Sequence, residues 1–409
     1  MKTLVLYSYY TDQLSYYDDW IDAFTYHREL EVASVNVSSD WGVFSDEYFI
    51  NPKAYKEIIR LIESAKLIIL HHSMNGDTLK FIVPFISALK NRRGKLVSFV
   101  GNEVNLLNIG MGPKIELLKE LNVDIIVTQL LLEAGKWLYI ECTNSSVISL
   151  PHGLNPSKFY SDTNLSDRRI DIGTRSAKYG VYLGDDDRNR IIDHFRLNSY
   201  GLKVNFGLKN KKDQRFNRNG WRKFLNDCKA TLATEAGSFY LQPNDEIVKN
   251  IEKYLAKKSR KLTLIEETLI RRLHPSVIPS SIRQFLQRIK NNYIAEIDRA
   301  DKEADFKDIY DRFFANAERP PVYTKCISSR HFDAIGTCTL QIMYPGRYNN
   351  ILSPNEHYFE LKKDHSNIED LLSLFANPTK IEAMTSSTLD YIINNHTHKH
   401  RVDRLLEFI

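Results

Sequence analysis

Cysteine is scarce here: four residues in 409, at Cys142, Cys228, Cys326 and Cys338, scattered without the spacing of a metal site. That argues against a disulfide- or zinc-built fold and makes a reducing, cytoplasmic setting the simple expectation. Long apolar runs are also missing. No stretch approaches the ~18 residues that a membrane-spanning helix needs. Residues 1–10, MKTLVLYSYY, lack the length and flanks of a signal peptide and read as a strand. A concentrated basic stripe is absent as well. The net charge of +5 is spread along the chain, which speaks against a nucleic-acid partner. It suits an anionic ligand, or weak peripheral attraction to an anionic inner-membrane surface. No Asp-x-Asp stands at a strand end as a metal site would need, and Asp185 to Asp187 read as acids capping a helix start. No metal and no resident cofactor are expected.

What is present is an ordinary globular composition, 43% hydrophobic and 26% charged. The chain is too long for one core and suits two domains. In its first part, strands at 3–7, 30–37, 67–71, 95–100, 123–128 and 145–150 alternate with helices at 12–26, 51–65, 78–90, 112–121 and 130–138. That alternation predicts a parallel α/β sheet whose ligands lie beyond the carboxyl ends of the strands. Three strand-end loops stand out: HHSMNGD (71–77), GNEVNLLNIGMGP (101–113) and PHGLNP (151–156). His72 reads equally well as a structural imidazole and as a catalytic one. Glu103 reads more simply as a solvated loop acid than as a base.

A second α/β unit is expected from about residue 170. It opens on DIGTRSAKYGVYLGDDDR, with Arg175 and Lys178 as basic loop positions. A strand at 202–208, a solvated basic loop at 209–218, a helix at 221–228 and a strand at 230–234 follow. The loop Glu235-Ala236-Gly237-Ser238 ends that strand, and backbone N–H groups around Gly237 suit a phosphate. A mostly helical, partly basic insertion is expected over 246–317. The run 323–364 then supplies a short helix at 330–335 carrying Arg330, His331 and Asp333, a strand at 339–344, a break at Pro345-Gly346, and a second extended run at 357–361. A guanidinium and a carboxylate on one such helix suit a nucleotide sugar: the first neutralises diphosphate and the second accepts hydrogen bonds from a ribose diol. Helices at 367–375, 380–395 and 397–409 close the chain.

The run SSRHFDAIGTCTLQIMYPGRYNNILSPNEHYFELKKDHSN resembles the C-terminal signature of the GT-B glycosyltransferases, in the group 1 branch that includes CgeB-like proteins. Ser328, Arg330, Phe332, Asp333, Ala334, Gly346, Tyr348, His357 and Tyr358 match that signature. Ser329 departs from its usual proline, and Asp333 from its usual glutamate. Lys325 stands where the wider superfamily has a second acid. The loop TEAGS matches a second signature, and PHGLNP resembles the crossover between the two GT-B domains.

The resemblance implies two Rossmann-like domains facing across a cleft, an acceptor-side domain over 1–155 and a donor domain over 170–395 with the insertion at 246–317. The last helix, 396–409, would pack back on the first domain. It implies transfer of a sugar from a nucleotide diphosphate sugar to a glycan or lipid-linked acceptor, metal-independent, with retention slightly favoured, in bacterial surface polysaccharide or glycoconjugate synthesis. In that reading Arg330 and Arg175 hold diphosphate and Asp333 the ribose. Glu235, Gly237, Ser238, His331, Gly346 and Tyr348 line the donor pocket, and His72 lies on the acceptor side. A nucleotide-sugar epimerase, a phosphorylase and an inactive nucleotide-binding scaffold are the rivals.

Overall fold

The computed structural model describes residues 1–8, 18–38, 52–107, 109–176, 178–207, 216–258, 296–297 and 299–409. The first unit runs β1 (Lys2–Tyr7), α1 (Asp18–Thr25), β2 (Glu31–Asn36), α2 (Pro52–Ser64), β3 (Leu67–Leu70), α3 (Ile86–Lys90), β4 (Lys95–Phe99), α4 (Met111–Glu120), β5 (Ile125–Thr128), α5 (Leu132–Leu138) and β6 (Ser146–Ser149). Its six strands pair in parallel in the order β2-β1-β3-β4-β5-β6. Helices cover both faces, so a central strand can be apolar throughout. All four residues of β3, Leu-Ile-Ile-Leu, are fully buried. Alternate side chains go to opposite layers: Leu4, Leu6, Ile68 and Leu70 to one, Val5, Leu67, Ile69, Val97 and Phe99 to the other.

The second unit runs β7 (Ile170–Gly173), α6 (Asp187–Leu197), β8 (Val204–Asn205), α7 (Arg218–Asn226), β9 (Cys228–Ala233), β10 (Ala236–Gly237), α8 (Glu246–Lys258), α9 (Phe306–Phe313), β11 (Lys325–Cys326), α10 (Ser329–Gly336), β12 (Leu340–Met343), β13 (Phe359–Glu360), α11 (Ile368–Phe375), α12 (Pro378–Asn395) and α13 (His398–Leu406). Its main sheet is parallel, in the order β13-β12-β9-β7-β8, with β10 and β11 paired antiparallel beside it. The chain therefore folds as two Rossmann-like α/β domains.

Carboxyl-end loops of the two sheets meet. The side chain of Asn349 donates to the Gln129 carbonyl at 2.9 Å, Arg347 pairs with Glu133 at 2.9 Å, and Asn105 donates to the Gln242 carbonyl at 2.6 Å. The polypeptide passes between the domains near Leu154 and returns near Thr397, where the two segments form a parallel bridge. Beyond it, α13 packs on α1 and adds Val402 and Leu405 to the first domain's core.

Two local expectations are corrected. The helix expected over 78–90 survives only as α3, because Pro84 sits in the 3-10 turn that precedes it and supplies no N–H. The strand expected over 202–208 is the two-residue β8, with residue 208 outside the described residues. Of the expected insertion, α8 and α9 are described; residues 259–295 and 298 lie outside. So do 9–17, the first part of the helix expected over 12–26.

Candidate functional site

Strand order fixes where a ligand would lie. In both sheets the second strand sits outside the first, so the order reverses between β1 and β3 in one domain and between β7 and β9 in the other. Crevices open beyond the carboxyl ends of strands at such reversals. In the second domain the flanking loops are 174–180 and 234–238. They carry Arg175, Glu235, Gly237 and Ser238.

α10 approaches the same place from the side. Arg330, in its first turn, donates to the Ser176 hydroxyl and so ties the helix start to the loop after β7. His331 is fully buried, and its Nδ1 accepts from the Ser328 backbone N–H at 3.1 Å. That leaves the proton on Nε2, which has no partner among the described residues. Burial, with the Arg330 charge adding to it, pushes this imidazole down to about 3, so the ring is neutral. It faces the Tyr348 ring, centroids 5.4 Å apart. Two further buried polar atoms in this layer lack partners among the described residues: Thr234 Oγ1 and Arg175 Nε.

Other residues are committed elsewhere. Glu235 is buried and accepts from the Tyr323 hydroxyl and, at 2.7 Å, from the Tyr348 backbone N–H. Burial raises its pKa. Its carboxylate braces the loop after β12, where Tyr348, Asn349 and Asn350 all have positive φ. A Cβ on Gly346 would stand 2.5 Å from Glu235 Oε2, so only glycine lets the two meet. Gly237 has φ of +97° and a Cβ there would meet the Thr324 carbonyl at 2.7 Å. Ser238 donates to the Leu183 carbonyl at 2.6 Å. The Tyr348 hydroxyl donates to the Tyr344 carbonyl at 2.6 Å. Arg175 turns toward β8: its guanidinium donates to Asn205 O and Oδ1, both at 2.8 Å, and stacks 4.3 Å over Phe224.

Asp333 has its own partner. It accepts from the Trp221 indole at 3.0 Å, and burial, reinforced by the nearby Asp19 carboxylate, holds it well above the ordinary carboxylate range. Asp19 and Asp22 of α1 share Arg218 at 2.8 Å each, and Asn155 donates to both. Asp333 thus stands at a contact between domains. Arg218, read in the sequence as part of a solvated loop, is an inter-domain ion pair.

The triplet 185–187 is also more than a helix cap. Asp186 is the N-cap and makes no side-chain capping bond. Asp185 pairs with buried Lys325 at 2.6 Å, and Asp187 with Lys325 at 3.5 Å and Lys363 at 2.7 Å. The lysine is raised, its burial outweighed by the two carboxylates.

On the first domain, His72 is fully buried and packs against His71, Trp20, Phe99 and His152. Its Nδ1 faces His71 Nε2 at 3.4 Å, and its Nε2 has no hydrogen-bond partner among the described residues. Glu103 is not solvated either: it accepts from the Thr128 hydroxyl (2.6 Å), the Gln129 N–H (2.7 Å) and the Tyr139 hydroxyl (2.6 Å). Sequence reasoning missed Lys114, whose buried ammonium donates to the carbonyls of Gly76, Gly101 and Asn102 at 2.7–3.0 Å and clamps two strand-end loops. It also missed Asp245, which accepts from Met111 N–H, Gly112 N–H and Asn105. The readable signal was GMG at 110–112: a Cβ on Gly110 would collide with the Asp245 carboxylate.

No protein-family model matches the sequence, and no curated protein matches it. Solved structures do match in backbone course. HepE from Anabaena, in complex with UDP and glucose, aligns over 100% of this chain and 99% of its own at 10% identity, TM-score 0.45. A glycosyltransferase from Rickettsia africae aligns over 100% and 97% at 10% identity, TM-score 0.47. Sucrose-phosphate synthase from Thermosynechococcus elongatus aligns over 100% and 98% at 9% identity, TM-score 0.49. Among the described residues no helix is long and apolar enough to cross a membrane.

Proposed function

We propose that this protein is a glycosyltransferase that moves a sugar from a nucleoside diphosphate sugar to a hydroxyl of a glycan or lipid-linked acceptor, in bacterial surface polysaccharide or glycoconjugate synthesis. The observation that carries the reading is the loop layer at the β7/β9 reversal. Arg175 Nε and Thr234 Oγ1 in its loops and His331 Nε2 on α10 are buried without partners among the described residues, and Arg330 of α10 reaches Ser176 in the loop after β7. Buried polar atoms are nearly always satisfied, so a group of them at a strand-end crevice calls for a polar ligand. Two guanidinium groups and the start of α10 favour an anion, and a diphosphate fits that charge.

Arg330 and the N-terminus of α10 would stabilise the charge that develops on the departing diphosphate. Arg175 would serve by turning from Asn205 toward the ligand. His331 would donate Nε2–H, its neutral tautomer fixed by Ser328. Glu235 acts as a positioning residue through the 346–348 loop, and Gly237, Ser238, Gly346 and Tyr348 shape that pocket. The ribose role of Asp333 requires its release from Trp221. In this reading the reaction needs no metal, retention is slightly favoured, and the setting is cytoplasmic or peripheral to the inner membrane.

The test is a thermal-shift screen against UDP, GDP, ADP, CMP and dTDP, each with Mg²⁺ and with chelator. A ligand specific for the native state raises Tm by mass action. One diphosphate should shift Tm by several degrees with or without metal, and Arg330→Ala should abolish the shift. No shift with any nucleotide would overturn the donor site and favour a scaffold role.

A further inference from the structure

Both segments that connect the domains rest on a stack of buried imidazoles. His71 and His72 follow β3, His152 lies in the first crossing and His398 opens α13. All four are buried. The rings of His71 and His72 lie 4.9 Å apart, His72 and His152 stack at 5.4 Å, and His152 and His398 lie 6.3 Å apart. Trp20 packs on three of them, at 5.5 Å from His72, 6.3 Å from His152 and 5.0 Å from His398.

The hydrogen bonds require neutral rings. The Trp20 indole, which can only donate, gives its N–H to His152 Nδ1 at 3.1 Å. The Gly153 backbone N–H points to His398 Nε2 at 3.4 Å. The Ser73 N–H points to His71 Nδ1 at 3.3 Å, which leaves His71 Nε2–H to donate to His72 Nδ1 at 3.4 Å. A proton added at any of these acceptor nitrogens replaces a hydrogen bond with a clash of two donors.

Among the described residues, the charges on the helices packed here are committed to other partners. On α1, Asp19 and Asp22 are held by Arg218 and Asn155. On α13, Asp403 is held by His27 and Lys399, and His400 bonds Thr397. Arg401 of α13 donates to the Pro151 carbonyl at 3.0 Å and sits near His396. From β4 the stack receives Phe99, an uncharged ring.

We propose that this imidazole stack is an acid-sensitive latch that holds α13 and the paired crossing segments on the first domain, and that releases them when its rings take up protons. Burial lowers every member, His71 to about 3 and His152 to about 4, with His72 and His398 also well below the ordinary value. Docking is fully supported above the solution value of about 6.5 and weakens as pH falls below it. For a ring held at about 4 that regains 6.5 on release, the open state gains about 30-fold at pH 5. His398 leaves with the helix, and His152 and His72 become wet, so the effects multiply.

Hydrogen exchange of the full chain at pH 7.5 and pH 5.0, corrected for intrinsic rates, tests this. The α13 amides should lose protection by at least about 30-fold at pH 5.0, while β9 and β12 keep theirs. His398→Phe, which keeps a ring without a proton site, should reduce the acid-induced loss by about that factor. Retained α13 protection at pH 5.0 in the wild type, or opening of β9 and β12 together with α13, would overturn the latch. The wild-type profile decides even where the variant fails to fold.

Discussion

The two domains share a strand order but finish their strand-end loops differently. In the first, most polar side chains close on the protein itself: Lys114 meets three carbonyls, Glu103 three donors, and Asn75 bonds Gly101 N–H, Ser98 and the Phe99 carbonyl, with His72 Nε2 the unmatched atom of these loops among the described residues. In the second, Arg175, Thr234 and His331 each keep a buried polar atom unmatched among the described residues. Satisfied loops are rigid platforms. Unsatisfied ones store an interaction that a ligand completes. In the proposed reading the charged substrate goes to the second domain and the first supplies a supporting surface.

Arg330→Ala tests the ligand half of that contrast and carries the largest expected effect. Removing one preorganised donor to a developing charge costs roughly 10²–10³ in rate. We expect kcat/KM to fall by about that much, with the urea midpoint nearly unchanged. A large loss of stability instead would mean that the Ser176 contact is structural and would blur the two domains. Lys114→Met tests the other half. It strips three buried carbonyls of a charged donor, each such bond being worth about 1.5–3 kcal/mol. We expect destabilisation of about 3 kcal/mol or more by urea unfolding, with no change in nucleotide affinity of the residual folded protein. Asp245→Asn comes next. It removes a charge from the N-terminus of α4 and turns one of two accepting oxygens into an NH2 that cannot accept from a backbone N–H, so the loss should be about 1–3 kcal/mol; an unchanged midpoint would show that this contact between the domains adds nothing.

The sequence carried the architecture because its signals were local. Strand and helix periods alternate from residue 3 to residue 150, and the β3 run is apolar as a doubly covered strand must be. Gly237 and Gly346 were also legible, since each is required by one close approach. Partners were not. Glu103 sits in a polar loop and looks solvated, but its three donors come from residues 25 to 36 positions away. His72 sits in the same kind of loop and is fully buried, because Trp20, His152 and the final helix cover it from distant parts of the chain. Asp333 shares a helix with Arg330 yet faces Trp221. Three residues along a helix turn a side chain by most of a revolution but do not say what stands opposite. Burial of a polar side chain depends on long-range neighbours, and those are set by packing.

The smallest effect refines the contrast. Gln341, in the middle of β12 and 1% exposed, leaves both its amide atoms without partners among the described residues. An unmatched buried atom is therefore not by itself the mark of a site; its place along the strand matters. Gln341 lies opposite Thr231 inside the sheet, whereas Thr234 lies past the end of β9. Gln341→Met keeps the volume and removes an amide that burial penalises by about 1–3 kcal/mol. It should raise the urea midpoint by the equivalent of about 1 kcal/mol and leave nucleotide affinity alone. Thr234→Val, nearly the same shape, should do the reverse, weakening nucleotide binding several-fold at constant stability. If both substitutions merely stabilise, the unmatched atoms of the second domain are packing faults wherever they lie, and the distinction between the two domains loses its functional content.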